Sequence, residues 1–190
     1  MQFNLSDPRL IIGIVILVAI IAIVAAIFVY ERRRKTAKLR QHYGSEYDRT
    51  VLEHGSAHTA EAQLAAREER VHQFKIRDLA LIERDHFTND WQSVQSRFVD
   101  HPRGAVIDAD ELVSSLMQTR GYPMTDFEQR AADISVNYPR VVENYRAAHA
   151  TALRLASSDV TTEDMRTAML QYRALFDELL QVHNHQEAAA

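Results

Sequence analysis

Histidines are the residues of this sequence best suited to chemistry, and there are nine of them. His54 and His58 stand four residues apart, a spacing that turns two imidazoles toward one metal ion on a helix. However, Gly55 lies between them where a helix should end, and no Glu occupies the position from which it would activate a metal-bound water. His183 and His185 fall in the C-terminal tail. We therefore predict structural or surface roles for the histidines, with no metal ligand and no cofactor.

Acidic side chains form one local group, at Asp108, Asp110 and Glu111. Neighbouring carboxylates can perform general acid–base catalysis or bind divalent cations. This group lacks the Gly and the distal Glu of a calcium loop, and its spacing is typical of the polar face of an amphipathic helix. We also find no cysteine, no Gly-rich phosphate loop and no serine-hydrolase motif. We therefore predict a solvated face here and name no catalytic residue.

Two segments, residues 121–133 and 139–149, combine Arg with Tyr, a composition enriched at protein interfaces. One interpretation is an interaction surface that binds another membrane or cytoplasmic protein, or a second copy of this chain. The alternative is a small-molecule sensor or enzyme whose inter-helical pocket is lined by Tyr145, Arg146, His149 and the region around Asp133, because bundles hold ligands between helices. A polar cavity with converging His, Arg and Asp would favour the alternative. The residues predicted for a partner site or pocket are Arg120, Tyr122, Arg130, Asp133, Arg140, Tyr145, Arg146 and His149.

Helices must position these residues, because apolar side chains recur at helical spacing throughout the chain after residue 44. The steps of four, three and four from Phe87 to Phe98 place large side chains, including Trp91, on one face of a helix. The charged stretch 65–70 is predicted to be the solvated face of a preceding helix that carries Ala60, Leu64, Val71 and Phe74. No stretch alternates with period two, so no strand is predicted. The stripe of the last helix comprises Met165, Met169, Tyr172, Phe176 and Leu179.

Local signals place several helix ends. Pro102 and Pro139 are suited to opening helices, and Gly55 and Gly121 are suited to ending them. Capping boxes, in which two side chains satisfy free N–H groups of the first turn, are predicted for Thr125 with Glu128 and for Thr161 with Asp164.

The predicted fold class is all-α: one N-terminal transmembrane helix followed by a helical-bundle soluble domain of six or seven helices. The predicted organisation is a short extracytoplasmic N-terminus at 1–9, a transmembrane helix at 10–30, a basic juxtamembrane stalk at 31–43, a helical soluble domain at 44–182 and a flexible tail at 183–190.

The predicted transmembrane helix has no charged side chain from Leu10 to Tyr30. About 20 helical residues cover the roughly 30 Å hydrocarbon core of a bilayer. A cleaved signal peptide would have a basic start, a shorter apolar run and a small-residue cleavage site. Here the run is longer and ends in a basic cluster, so we predict an uncleaved anchor.

Charge around this segment predicts its orientation. Six Lys and Arg follow it within residues 31–40, and one precedes it. Because basic residues near a span stay on the cytoplasmic side, we expect the N-terminus outside and the C-terminal domain in the cytoplasm, in the cell membrane. The residues predicted to contact the lipid bilayer at this interface are Tyr30, Arg32, Arg33, Arg34 and Lys35.

The remainder of the chain is acidic, with 15 Lys and Arg against 24 Asp and Glu after residue 40, a net charge of −9. Such a charge repels phosphate backbones, so nucleic acid is not an expected partner.

Several stretches resemble a family of uncharacterised bacterial single-pass membrane proteins with a basic stalk and a C-terminal helical domain. They are Arg97-Phe-Val-Asp-His-Pro102, Arg120-Gly-Tyr-Pro123, Asp126-Phe-Glu-Gln-Arg-Ala-Ala-Asp133 and Pro139-Arg-Val-Val-Glu-Asn-Tyr-Arg-Ala-Ala-His149. The resemblance covers most of the chain after residue 40. It implies this architecture and transfers no activity or catalytic residue. The expected role is a membrane-anchored interaction domain.

Overall fold

A computed structural model describes the backbone of residues 8–155 and 160–181 and the side chains of residues 16–155 and 160–181. Eight α-helices and no strand occur within these ranges, which confirms the all-α prediction. The predicted tail at 183–190 and most of the predicted N-terminal segment at 1–9 lie outside the described residues. The helices are α1 (Pro8–Tyr43), α2 (Ser45–His54), α3 (Ala57–His72), α4 (Leu81–Arg97), α5 (Pro102–Thr119), α6 (Phe127–Asn137), α7 (Val142–Arg154) and α8 (Thr162–Leu180).

The chain divides into two compact units, Met1–His42 and Tyr43–Ala190. The first consists of α1 without its last residue. From Ile16 to Tyr30 every side chain of α1 is exposed, and the basic side chains from Arg32 to Lys35 are exposed as well. Among the described side chains, which begin at Ile16 and so omit the first six residues of the predicted span at 10–30, no helix is long and apolar enough to cross a bilayer.

The second unit is built around a hydrophobic bundle formed by α4, α5, α6, α7 and α8. Phe87, Trp91 and Val94 of α4 are buried in it and Phe98 packs against it, which confirms the predicted α4 face. The ring of Trp91 stacks on Phe176 of α8 with centroids 4.7 Å apart. The predicted stripe of α8 is buried in full.

The structure confirms the predicted helix ends with two exceptions. Pro102 opens α5, and the Thr161–Asp164 capping box opens α8 as predicted. The capping box predicted at Thr125 is wrong by one residue, because the Asp126 carboxylate accepts the Gln129 N–H at 3.0 Å and caps α6 instead. Residues 139–141 form a turn, so α7 begins at Val142 and not at Pro139.

Gly121 follows α5 and is required by the turn that it makes. Its φ is +97°, a backbone conformation that residues with a Cβ atom rarely adopt. A Cβ at this position would also overlap the carbonyl oxygen of Lys75. Close approach of the 73–80 segment to the end of α5 therefore depends on this glycine.

Arg120, predicted as an exposed partner residue, is instead only 1% exposed. Its guanidinium donates to the Arg77 carbonyl at 3.2 Å, to the Tyr138 hydroxyl at 2.7 Å, to the Leu179 carbonyl at 2.8 Å and to the Asp78 carboxylate at 3.2 Å. A buried arginine is stable only when its donors are satisfied in this way. Arg120 thus ties the 73–80 segment to α6 and α8 and has a structural role.

The helices α2 and α3 form a hairpin, which we call the α2–α3 hairpin. Its buried apolar side chains are Tyr47, Ala60, Leu64 and Val71, and none of these described residues belongs to the hydrophobic core of the bundle. Tyr47 also donates a hydrogen bond from its hydroxyl to Glu61 at 3.2 Å, within the hairpin. The hairpin therefore packs around its own small core.

Candidate functional site

The hairpin meets α6 and α7 across a polar cleft that we call the arginine cleft. Its defining residues are Arg49 of α2, Arg67 and Arg70 of α3, and Arg146 of α7. The cavity measures about 350 Å³, within the usual size range of small-molecule sites. The other lining residues are Glu53, Gln63, Ala66, Asp126, Glu128, Gln129 and Ala132.

Helical periodicity explains why arginine lies at this junction. The buried stripe of α3 runs through Ala60, Leu64 and Val71, and Arg67 stands between Leu64 and Val71 at the position where the period of three and four residues expects an apolar side chain. The prediction that 65–70 is a solvated face is therefore wrong for Arg67, whose side chain is 14% exposed. On α2, a charged residue is likewise buried, since Glu46 lies on the buried face of the helix with Tyr47 and Thr50.

Glu46 is the centre of the ionic network, with a side chain only 3% exposed. Its carboxylate accepts from Arg67 Nη1 at 2.8 Å and from Arg146 Nη2 at 3.2 Å, and Arg49 Nη1 lies 3.9 Å away. A buried carboxylate requires such partners. Glu46 therefore links α2, α3 and α7 through charge.

Asp133 provides a second buried carboxylate on α6. It pairs with Arg70 of α3 and accepts from the Gln129 side-chain amide at 3.0 Å. Burial raises the pKa of Asp133 above its usual range, although Arg70 acts in the opposite direction. This pair joins the hairpin to α6.

Two carboxylates on the rim complete the cleft, and both are accessible to water. Glu128 accepts from Arg146 Nη1 at 2.6 Å and from Arg49 Nη2 at 3.4 Å, while its side chain is 69% exposed. Glu53 pairs with Arg49 at 2.6 Å. Among the described arginines that line the cleft, three guanidinium nitrogens are buried without an acceptor: Arg49 Nη1, Arg70 Nε and Arg146 Nε. The cleft thus contains more arginine donors than its own carboxylates satisfy.

A separate cluster surrounds Asp110 of α5 in the bundle. Asp110 accepts from the Tyr172 hydroxyl at 2.9 Å and lies 3.3 Å from His149 Nδ1. The imidazole of His149 stacks on Phe127 with ring centroids 3.7 Å apart. The prediction of a solvated face is therefore wrong for Asp110, which packing has turned toward a buried tyrosine.

Tyrosines in this cluster are held in the neutral form. Burial and the adjacent Asp110 carboxylate raise the pKa of Tyr172, and burial raises the pKa of Tyr145. The Tyr145 hydroxyl accepts from Arg130 Nε at 3.0 Å. These groups act as hydrogen-bond donors and acceptors that fix α5, α6, α7 and α8 together.

A shallow apolar groove of about 150 Å³ lies between α4 and α8. Trp91 is 4% exposed, and its indole N–H has no acceptor. Leu170, in contrast, is largely exposed. We call this surface the tryptophan groove; its lining residues are Trp91, Gln95, Phe98, Arg166, Met169, Leu170 and Arg173.

The structure separates the residues that the sequence predicted as one site. Arg146 and Asp133 belong to the arginine cleft and its ionic network, whereas Tyr145, His149 and Arg130 belong to the Asp110 cluster. Tyr122 is buried and accepts from the Asn137 amide at 2.7 Å, and burial raises its pKa. Arg140 is exposed in the turn before α7.

The sequence did not predict the residues that the hairpin contributes to the cleft and its network, which are Glu46, Arg49, Arg67 and Arg70. It also did not predict a role in the cleft for Glu128 of α6. The available signal was a charged residue at an apolar position of each amphipathic stripe, Glu46 on α2 and Arg67 on α3. Within the described ranges, no three His, Asp or Glu side chains gather as metal ligands.

No family model, curated protein or solved structure matches this chain. The resemblance to bacterial single-pass membrane proteins therefore stays a prediction, and functional inference depends on geometry and charge.

Proposed function

We propose that this protein is a membrane-anchored interaction module, in which α1 crosses the cell membrane once and the Tyr43–Ala190 unit binds a partner protein in the cytoplasm. The observation that carries the proposal is the uninterrupted exposure of apolar side chains on α1 from Ile16 to Tyr30. A helix that is apolar on all sides has no face for water, and hydrocarbon is the solvent that matches it.

Charge supports the orientation. The exposed basic run from Arg32 to Lys35 directly follows the apolar run, and basic residues at this position stay on the cytoplasmic side. Each also interacts with anionic headgroups by about 1 kcal/mol. The N-terminus would then lie outside.

The tryptophan groove is the surface that best supports partner binding. It combines an apolar floor with two arginines on its rim, a composition typical of interface hot spots.

Two measurements test the proposal. The full chain should remain in the membrane pellet after an alkaline carbonate wash, and protease added to intact cells should leave the C-terminal unit uncut. Release by the wash, or digestion from outside, would overturn the anchor or its orientation.

Partner binding is tested by chemical cross-linking in intact membranes followed by purification. The Leu170→Asp variant should lose the cross-linked partner, whereas Ile107→Asp, a matched change at an exposed apolar residue of α5, should retain it. Equal recovery from both variants would eliminate the groove as the interface.

A second candidate function is a small-molecule sensor. It is favoured by the arginine cleft, a polar cavity in which Arg and Asp converge as that alternative requires. The predicted histidine is absent from this cleft, because His149 pairs with Asp110 instead.

A further inference from the structure

We propose that the arginine cleft binds a small dianion of the phosphate monoester class, and that the Glu128 carboxylate occupies the ligand position until the ligand arrives. The inference rests on the sensor candidate and is independent of the membrane anchor and of the tryptophan groove.

A dianion can bind in the cleft only where carboxylates move aside, because four arginines there face five carboxylates, Glu46, Glu53, Asp126, Glu128 and Asp133. Four arginines line it, and the buried carboxylates Glu46 and Asp133 belong permanently to the fold. The other two compensating carboxylates, Glu53 and Glu128, are 41% and 69% exposed. Exposed ion pairs of this kind contribute little to stability, so they can exchange for a stronger anion at small cost.

Asp126 is the remaining acid of the lining. Its carboxylate accepts the Gln129 backbone N–H at 3.0 Å and faces the positive end of α6. It is therefore engaged with the helix terminus and competes little for the arginines.

Glu128 marks where a ligand oxygen would lie. Its Oε2 atom is held between Arg146 Nη1 at 2.6 Å and Arg49 Nη2 at 3.4 Å. This atom stands in for one oxygen of the ligand. When Glu128 turns out into water, Arg146 Nη1 loses this acceptor and Arg49 Nη2 keeps Glu53 as its partner. Both nitrogens can then donate to an oxyanion from solution.

Donor number favours phosphate over a single carboxylate. Arg49, Arg70 and Arg146 each retain a buried N–H group without an acceptor, and leaving such groups unpaired is unfavourable. A phosphate monoester presents three terminal oxygens, which match several N–H edges of arginine at once. The cavity of about 350 Å³ also admits the organic part of a small ester.

The experiment uses the full chain in nanodiscs of zwitterionic lipid and titrates glycerol 3-phosphate by calorimetry at low salt. Saturable binding is expected. Arg146→Gln should weaken it about tenfold or more, because charge-assisted hydrogen bonds are lost. Arg97→Gln, an exposed arginine of α4 paired with Asp108 at 3.0 Å, is the matched control and should bind as the unchanged protein does.

The direction in which Glu128→Gln changes the affinity for glycerol 3-phosphate decides between the proposal and a purely structural role. Removing the competing carboxylate should tighten binding severalfold, and a merely damaged fold cannot produce that result. This variant alters an exposed side chain, so it remains informative even if Arg146→Gln fails to fold. No saturation with either the unchanged protein or Glu128→Gln, or weaker binding by Glu128→Gln, would overturn the proposal and leave the cleft as an ionic joint between helices.

A parallel titration in nanodiscs containing phosphatidic acid identifies the source of the phosphate. If the headgroup is the natural ligand, it should compete and weaken the apparent affinity for glycerol 3-phosphate in a manner that Arg146→Gln abolishes. Unchanged affinity assigns the site to a soluble phosphate ester.

Discussion

The α2–α3 hairpin and the α4–α8 bundle belong to the same unit but are stabilised by different physics. The bundle buries a continuous apolar core in which Trp91 stacks on Phe176. The hairpin packs around its own small core, and ion pairs of Glu46 and Asp133 join it to α6 and α7. Salt does not screen apolar contacts, whereas ion pairs weaken as salt is added. The continuous apolar core therefore lies in the bundle, and the buried carboxylates Glu46 and Asp133 lie at the junction.

The largest effect is expected from Phe176→Ala in the bundle. Phe176 is 1% exposed, and its truncation leaves a cavity against Trp91 that should lower the free energy of unfolding by about 3 to 5 kcal/mol. Chemical denaturation of the full chain in detergent micelles, followed by circular dichroism, measures the loss. Leu170→Ala on the exposed side of the same helix is the control. A loss below about 1 kcal/mol for Phe176→Ala would contradict an apolar core as the main source of stability.

A smaller and local effect is expected from Glu46→Gln at the junction. The change leaves Arg67 and Arg146 without their buried carboxylate and should cost about 2 kcal/mol, less than full burial of the pair would imply because the arginines retain some exposure. Hydrogen exchange should show lost protection in α2 and α3 with little change in α8. High salt should produce the same pattern in the unchanged protein.

Glu163→Gln is the control for this variant, because it breaks an exposed Glu–Arg pair on α8 with Arg166. It should leave exchange in α2 and α3 unaltered. Uniform loss of protection across the bundle in Glu46→Gln would show that hairpin and bundle open as one body.

The smallest effect is a pH response at the start of the bundle. The Arg77 guanidinium and the Ala80 N–H lower the pKa of Glu83 from 4.5 to about 2. A lowered pKa in the folded state means that the stabilisation is present above pH 4.5 and is lost as the pH falls toward 2. Glu83→Gln should therefore flatten the acid limb of the stability curve slightly. An equal change in Glu111→Gln, at an exposed carboxylate of α5, would remove the assignment to Glu83.

Much of the bundle could be predicted from sequence because its determinants are local. The steps of three and four residues in α4 and α8, Pro102 at the start of α5 and the Thr161–Asp164 box each act within one or two turns. Competition between neighbours limited this precision: Asp126 displaced Thr125 as the cap of α6 because its carboxylate reaches the Gln129 N–H. Periodicity also cannot report whether a polar residue on a stripe is solvated or paired, as Asp110 and Arg67 illustrate.

The sequence by itself determined that the chain is helical, where α5 and α8 begin, where α2 and α5 end, and that an apolar run precedes a basic one. Only the tertiary structure decided that Glu46 meets Arg146, 100 residues away, and that Asp110 meets Tyr172 and His149. The reason is physical: hydrogen bonds and side-chain spacing within a helix depend on adjacent turns, whereas the choice of ionic partner depends on which helices the apolar core brings side by side.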